Sequence, residues 1–320
     1  MQPEKTRKKK ILFFGLGSIG RKHAKIIKNS YNYEIIAFRT KKGQEQNNLK
    51  IPEIYNLQEA FQTNPEIAFI TNPTYLHMET ALECAKRNIH LFIEKPISHN
   101  LTNVLELEKE IKKRNLITYI AYNLRFHPII EKIKEITSNE LPITYNVKSS
   151  SYMPDWRPNQ DYSKSYSAKM EMGGGVTLDL SHEFDYITWF FGNIEKIEGY
   201  CDKVSYLEIN SEDILEAEVT CETGIKGKIH LDYFTKNPER KIQIKYKDGI
   251  IEADLIKNTI KDKHGKISEF KCEKDETYKK QIDYFFKNYN KKNTNMMNNY
   301  SEGLKTFKKI IEFKNKNCKI

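Results

Sequence analysis

The chain has no apolar run long enough to cross a bilayer as a helix, which excludes a helical membrane protein. It has five cysteines, Cys84, Cys201, Cys221, Cys272 and Cys318, and no Cys-x-x-Cys pair. An odd, scattered set argues against a disulfide framework or a zinc site, so reduced, packed thiols and no metal centre are expected. No secretory signal is legible. The basic tail "MQPEKTRKKK" runs straight into the short apolar "ILFFG", without a small-residue cleavage site, and the expected location is the cytoplasm. Beyond that tail there is no concentrated basic block. The net charge of +10 comes from 53 basic residues interleaved with 43 acidic ones, which reads as composition rather than a nucleic-acid or membrane-binding stripe. No internal repeat or long low-complexity segment is present, and the polar "KNYNKKNTNMMNNY" at 287–300 reads as a loop between helices.

What is present fits a globular protein of two domains: 320 residues, 38% hydrophobic and 30% charged. The first third alternates strand and helix. Strands are expected at 10–15, 33–38, 67–71, 90–94 and 117–122, with helices at 18–28, 78–87 and 103–114. That alternation predicts an α/β, Rossmann-type, doubly wound parallel sheet. After residue 122 the pattern changes to a helix at 128–137, a strand at 143–153, a polar aromatic segment, a helix, and then five or six strand-like runs. The last pair of these is joined by "KDG", a hairpin signal. Two helices near 276–288 and 301–315 close the chain. The expected division is 1–122, an α/β domain, and 123–320, an α+β domain with a large, mostly antiparallel sheet.

"GLGSIG" (15–20) follows the first strand and opens the first helix. In that context Gly15 permits the tight turn, Gly17 lets a pyrophosphate approach the backbone, and Gly20 lets helix and strand pack closely. The helix start, Ser18 and Ile19, offers N–H groups to the phosphates. About 20 residues on, where an NAD site carries an acid, the chain reads "AFRTKK". Arg39 and Thr40, with Lys41 behind them, suit a 2′-phosphate, so NADP is favoured over NAD. "FIEKPIS" (92–98) puts Lys95 at the C-terminal end of a sheet strand, the edge where ligands bind. Beside an oxidised nicotinamide its pKa would fall, which suits acid–base work. Lys95-Pro96 is a bond that can be cis at modest cost.

"GGGVTLDLSHEFD" (173–185) sets Asp179, His182 and Asp185 at three-residue intervals behind three glycines. On one continuous helix Asp179 and His182 lie about 60° apart, and so do His182 and Asp185. A carboxylate can then steady an imidazole that acts as a base. The glycines would let the helix start approach a substrate or nicotinamide closely. A core histidine bonded to Asp185 is the plainer alternative. Trp189, Phe190 and Phe191 read as core, and Gly192 as the helix stop.

Taken together, "GLGSIGRKH", "TNPTYLH", "EKP", "AYNLRFHP" and "GGGVTLDLSHEFD" resemble the Gfo/Idh/MocA oxidoreductases in order and across nearly the whole chain. The resemblance implies a Rossmann domain holding a nicotinamide nucleotide and a second domain that closes the active site and often builds a homodimer or homotetramer. It implies that Lys95, Asp179 and His182 face the nicotinamide, and that Asn72, Pro73, His77 and Glu94 belong to the cofactor side. The Asp–His gap here is three residues where many members have four, which leaves Asp179 either assisting His182 or binding a substrate hydroxyl. The implied reaction is hydride transfer at a secondary alcohol.

"YMPDWRPNQDYSKSYSA" (152–168) is dense in aromatic and basic side chains. Trp156 and Tyr162 suit stacking on a sugar, Arg157 and Lys164 suit a carboxylate or phosphate, and Arg125 is placed to reach the same ligand. The segment is similar to that of family members of bacterial surface-sugar pathways, so a sugar or nucleotide sugar is the expected substrate. Two other readings remain open: a relative with transient redox, glycosidase- or epimerase-like, and a catalytically inactive nucleotide-sensing protein.

Overall fold

A computed structural model describes residues 8–40 and 47–318. Lys41 and most of the basic tail lie outside the described residues. The chain forms two compact units. The first holds 1–97, 102–121 and 278–301; the second holds 98–101, 122–277 and 302–320. The segment 278–301, expected in the second domain, therefore packs with the first.

In the first unit β1 (Lys10–Phe14) leads through the glycine turn into α1 (Ser18–Ser30) and β2 (Glu34–Phe38). A two-residue strand β3 (Glu53–Ile54) and a short helix α2 (Leu57–Gln62) come next. They are followed by β4 (Ile67–Ile70), α3 (His77–Lys86), β5 (His90–Ile93), α4 (Val104–Lys113) and β6 (Thr118–Ile120). The strands pair in parallel in the order β3-β2-β1-β4-β5-β6, the doubly wound arrangement expected from the alternation. The central strands are apolar on both faces because helices cover both, so Ile11–Phe13, Ile67–Ile70 and Leu91–Ile93 are sealed from solvent. Phe13, Phe69 and Phe92 stack across three strands at 4.8 and 4.3 Å between ring centroids. The helix α8 (Glu276–Asn290) lays Phe285 edge-on against Phe69 and Phe92, and Phe286 against Tyr33. Each such ring, once buried, contributes about 2–3 kcal/mol. That burial holds 278–301 to this sheet.

The second unit begins with α5 (Pro128–Asn139) and β7 (Thr144–Tyr152). A run of short 3₁₀ turns then leads to α6 (Val176–Asp179) and α7 (His182–Phe191). Seven strands follow: β8 (Ile194–Asp202), β9 (Ile214–Cys221), β10 (Lys226–Asp232), β11 (Phe234–Tyr246), β12 (Gly249–Asp254), β13 (Thr259–Lys261) and β14 (Ile267–Glu269). With β7 they make one sheet in the order β14-β13-β12-β11-β7-β10-β9-β8, antiparallel except for the β7–β10 pair. The hairpin expected at "KDG" forms, with Tyr246 opposite Gly249. The closing helix α9 (Tyr300–Asn317) brings Cys318 back to β8, where it forms a disulfide with Cys201. This corrects the expectation of reduced thiols throughout. The two cysteines are 117 residues apart, and only the return of α9 makes them neighbours. No helix of the described residues is long and apolar enough to cross a membrane.

Candidate active site

The glycine turn in the first unit is built as its spacing requires. Gly15 has φ +94°, a conformation side chains resist. A Cβ on Gly20 would sit 2.6 Å from the Gly15 carbonyl oxygen and 2.7 Å from Thr71 Oγ1, so α1 can seat on the turn only with glycine there. Thr71 Oγ1 donates to the Gly15 carbonyl at 2.8 Å and ties the end of β4 to the turn. Helix α1 starts at Ser18 and Ile19 behind Gly17, with no side-chain cap and no acid in its first turn. Its opening N–H groups and positive dipole end therefore suit a pyrophosphate, and the residues present fit a dinucleotide.

Neighbouring loops leave the same carboxyl edge of the sheet. Pro73 is exposed there, while Asn72 donates to Thr80 Oγ1 at 2.9 Å. His77 is sealed off, its two ring nitrogens each 2.9 Å from a carbonyl oxygen, those of Pro96 and Asn72. Burial lowers its pKa against the pull of both carbonyls, so the neutral ring is favoured. Glu94 is buried and meets Nε2 of the buried His23 at 2.5 Å, and its other oxygen accepts from the Lys95 amide at 3.3 Å. His77 and Glu94, expected on the cofactor side, have polar atoms engaged by the loops they join. Lys95 follows β5 at the sheet edge, half-buried, with a cis bond to Pro96. On the adenosine side, Thr40 is exposed and Arg39 forms an ion pair with Glu53 at 2.7 Å. Neither Glu53 nor His23 was singled out from the sequence. A two-residue strand has no periodicity to reveal it, and His23 looks like any residue of an amphipathic helix.

In the second unit the helix expected to carry Asp179 and His182 is broken. The chain tightens after α6, where the Ser181 amide bonds the Leu178 carbonyl and the Glu183 amide the Leu180 carbonyl, both three residues back. Asp179 ends one helix and His182 begins the next, so the uniform 100° step does not relate them. Two of the three glycines are packed against the chain itself. A Cβ on Gly174 would lie 2.4 Å from the carbonyl oxygens of Tyr166 and Ser167, and one on Gly175 (φ +113°) 2.2 Å from the buried Glu212 carboxylate. The space that Gly174 and Gly175 leave is filled by the protein itself.

The Tyr233 hydroxyl donates to Asp179 Oδ2 at 2.7 Å. Burial first, then the Asp179 charge, raises the Tyr233 pKa. For Tyr166 the Asp179 charge leads and burial follows. Both phenols therefore stay protonated. Trp156 stands edge-on to Tyr233 at 5.0 Å, 39% exposed, which links the aromatic segment to Asp179. His182 is 8% exposed and edge-on to Tyr122. The Tyr162 hydroxyl accepts from the Glu208 amide. Arg157 and Lys164 are exposed, and Lys164 pairs with Asp161. Tyr166 and Tyr233 were not predicted; "LDYF" carries no pattern that marks its tyrosine.

Arg125 is corrected. It was expected to reach substrate, but it is 2% exposed, donates through Nε and Nη2 to both Asp185 oxygens at 2.9 and 2.8 Å, and through Nη1 to Glu302 at 2.6 Å. Burial opposes its charge, but the two carboxylates outweigh burial and raise its pKa. Asp185 therefore serves Arg125.

Residues 9–122 match the oxidoreductase family with the NAD-binding Rossmann fold, and residues 144–252 match the GFO/IDH/MocA C-terminal domain. A myo-inositol 2-dehydrogenase of Thermotoga maritima is 30% identical over 58% of this chain and 54% of its own length, so the chain spans about half of that relative. The UDP-N-acetylglucosamine 3-dehydrogenase of Acidithiobacillus ferrooxidans superposes with a TM-score of 0.79 at 16% identity, covering 96% of this chain and 97% of its own. The WlbA dehydrogenase of Bordetella pertussis, in complex with NADH and UDP-GlcNAcA, gives 0.76 at 20% identity over 94% of each chain. Those two likenesses carry the fold. With both halves matched in order, the chain belongs to the Gfo/Idh/MocA oxidoreductases.

Proposed function

We propose that the protein is a nicotinamide-dependent dehydrogenase acting on a secondary alcohol or ketone of a sugar or nucleotide sugar. The observation that carries this is the position of Lys95, at the same carboxyl edge of one parallel sheet as the uncapped glycine turn. When bound, the nicotinamide supplies hydride acceptance or donation at its C4. The residues supply the rest. His182 takes the hydroxyl proton, and Lys95 holds the charge that develops on that oxygen, a term that can dominate such reactions. Asp179, held by the Tyr233 hydroxyl, accepts a hydrogen bond from a neighbouring substrate hydroxyl. Trp156 offers a ring face, and Arg157 and Lys164 offer charge to an acidic or phosphorylated sugar. Arg39 and Thr40 favour NADP. The inositol dehydrogenase relative and the UDP-sugar dehydrogenases of like fold support the substrate class, and bacterial surface-glycan metabolism in the cytoplasm, by a homo-oligomer, is the setting we infer.

The test is steady-state reduction of NADP and NAD against a panel of inositols, hexoses and UDP-sugars, with Lys95→Met as control. At least one panel member should be turned over. Lys95→Met should lower kcat by about 10²–10⁴ while cofactor affinity stays within about threefold. Loss of cofactor binding in Lys95→Met would instead make Lys95 structural.

A further inference from the structure

We propose that Glu53 governs the choice between NADP and NAD by competing with a 2′-phosphate for Arg39. The inference rests on reading Arg39 as the contact to the adenosine ribose. Strand β3 runs parallel to β2 in the register Ala37–Glu53 and Phe38–Ile54, and the Arg39 amide bonds the Ile54 carbonyl at 3.0 Å. Side chains alternate along a strand, so Glu53 and Tyr55 share a face beside Arg39. Glu53 Oε1 meets Arg39 Nη1 at 2.7 Å, and the Tyr55 hydroxyl donates to Oε2 at 2.5 Å. Both members of the ion pair have side chains only 14% exposed, so water screens the pair weakly. Burial alone would raise the Glu53 pKa, but Tyr55, Arg39 and Asn47 together hold it below the ordinary carboxylate value. The carboxylate is thus a fixed anion on the guanidinium that a 2′-phosphate needs. A dianionic phosphate must displace it or share Arg39 with it, and either is unfavourable. A ribose 2′-hydroxyl meets no such penalty, so Glu53 trims the advantage that Arg39 gives NADP.

The experiment is calorimetric titration of NADPH and NADH into the wild type, Glu53→Gln, Glu53→Thr, Arg39→Ala and the Glu53→Gln/Arg39→Ala double variant. Retained NADH binding serves as the folding control, and Glu53→Thr suits an edge strand if the amide does not. Glu53→Gln should tighten NADPH by about tenfold and leave NADH within about threefold, and the double variant should lose that gain. If Arg39→Ala weakens NADPH but neither Glu53 variant tightens it, Glu53 is no determinant and the Arg39 reading survives. If Arg39→Ala leaves NADPH affinity unchanged, both are overturned. Equal shifts for both cofactors in the Glu53 variants also overturn the proposal.

Discussion

Arg125 illustrates how burial redirects a charged side chain. A guanidinium this deep keeps its charge only with carboxylates at its donors, and Asp185 and Glu302 supply them. Removing the cation leaves Asp185, 2% exposed, without its counter-charge. Arg125→Met should therefore cost about 3–5 kcal/mol in urea unfolding, and Arg125→Met/Asp185→Leu should recover much of it. A normal unfolding midpoint with a raised KM for sugar would return Arg125 to the substrate. The same logic separates Asp179 from Asp185. Both are buried carboxylates on the same short stretch, but one is held by a phenol that adds no charge and the other by a fixed cation.

At the scale of elements, the turn before α6 decides where Asp179 stands. Gly175 lies against the Glu212 carboxylate, which also takes the ammonium of Lys314 on α9. A methyl at Gly175 meets both a disfavoured φ and a filled space. Gly175→Ala should destabilise the protein by about 1–3 kcal/mol and lower kcat, because α6 must shift. In a Glu212→Ala background the clash is gone and only the backbone strain remains, so the added cost of Gly175→Ala should shrink. Fully additive costs in chemical unfolding would show that the carboxylate does not shape the turn. Helix α2 could have been read from the sequence: Asn56 accepts from the amides of Gln58 and Glu59, and Asn followed three residues later by Glu is a helix-start signature.

Across the whole molecule, pH acts most clearly on the large sheet. His230 on β10 faces Glu216 on β9, with Nδ1 at 2.6 Å from that carboxylate and Nε2 at 2.8 Å from Asp232. The Asp232 bond, ahead of the opposing effect of burial, raises the His230 pKa above 6.5. Burial would raise Asp232, but His230, Ser150 and Thr235 pull it down from 3.8 to about 2. A raised histidine contributes stability that is fully present below 6.5 and fades as pH rises through its folded value. A lowered aspartate contributes stability present above 3.8 that fades as pH falls toward 2. The two windows overlap at mildly acidic pH. Wild type should exceed His230→Gln in Tm most at about pH 5–6, with the gap narrowing toward pH 9. A gap constant from pH 5 to pH 9 would leave His230 no ionic role.

The sequence by itself determined the main strand–helix alternation of the first unit, the glycine turn and the place of Lys95. Each depends on residues within a few positions of one another, where backbone geometry and apolar periodicity act directly. Even there, the single helix read across Asp179 and His182 was interrupted by bonds three residues back, which side-chain spacing does not encode. Tertiary structure decided which groups meet. Tyr233 reaches Asp179 across 54 positions, Arg125 reaches Glu302 across 177, and Cys318 reaches Cys201 across 117. It also placed Glu53 on Arg39 and sent 278–301 back to the parallel sheet. A carboxylate, a phenol or a thiol carries no local sign of its partner. What it bonds is fixed by how the elements pack, and that packing is driven by buried apolar area spread over the whole chain.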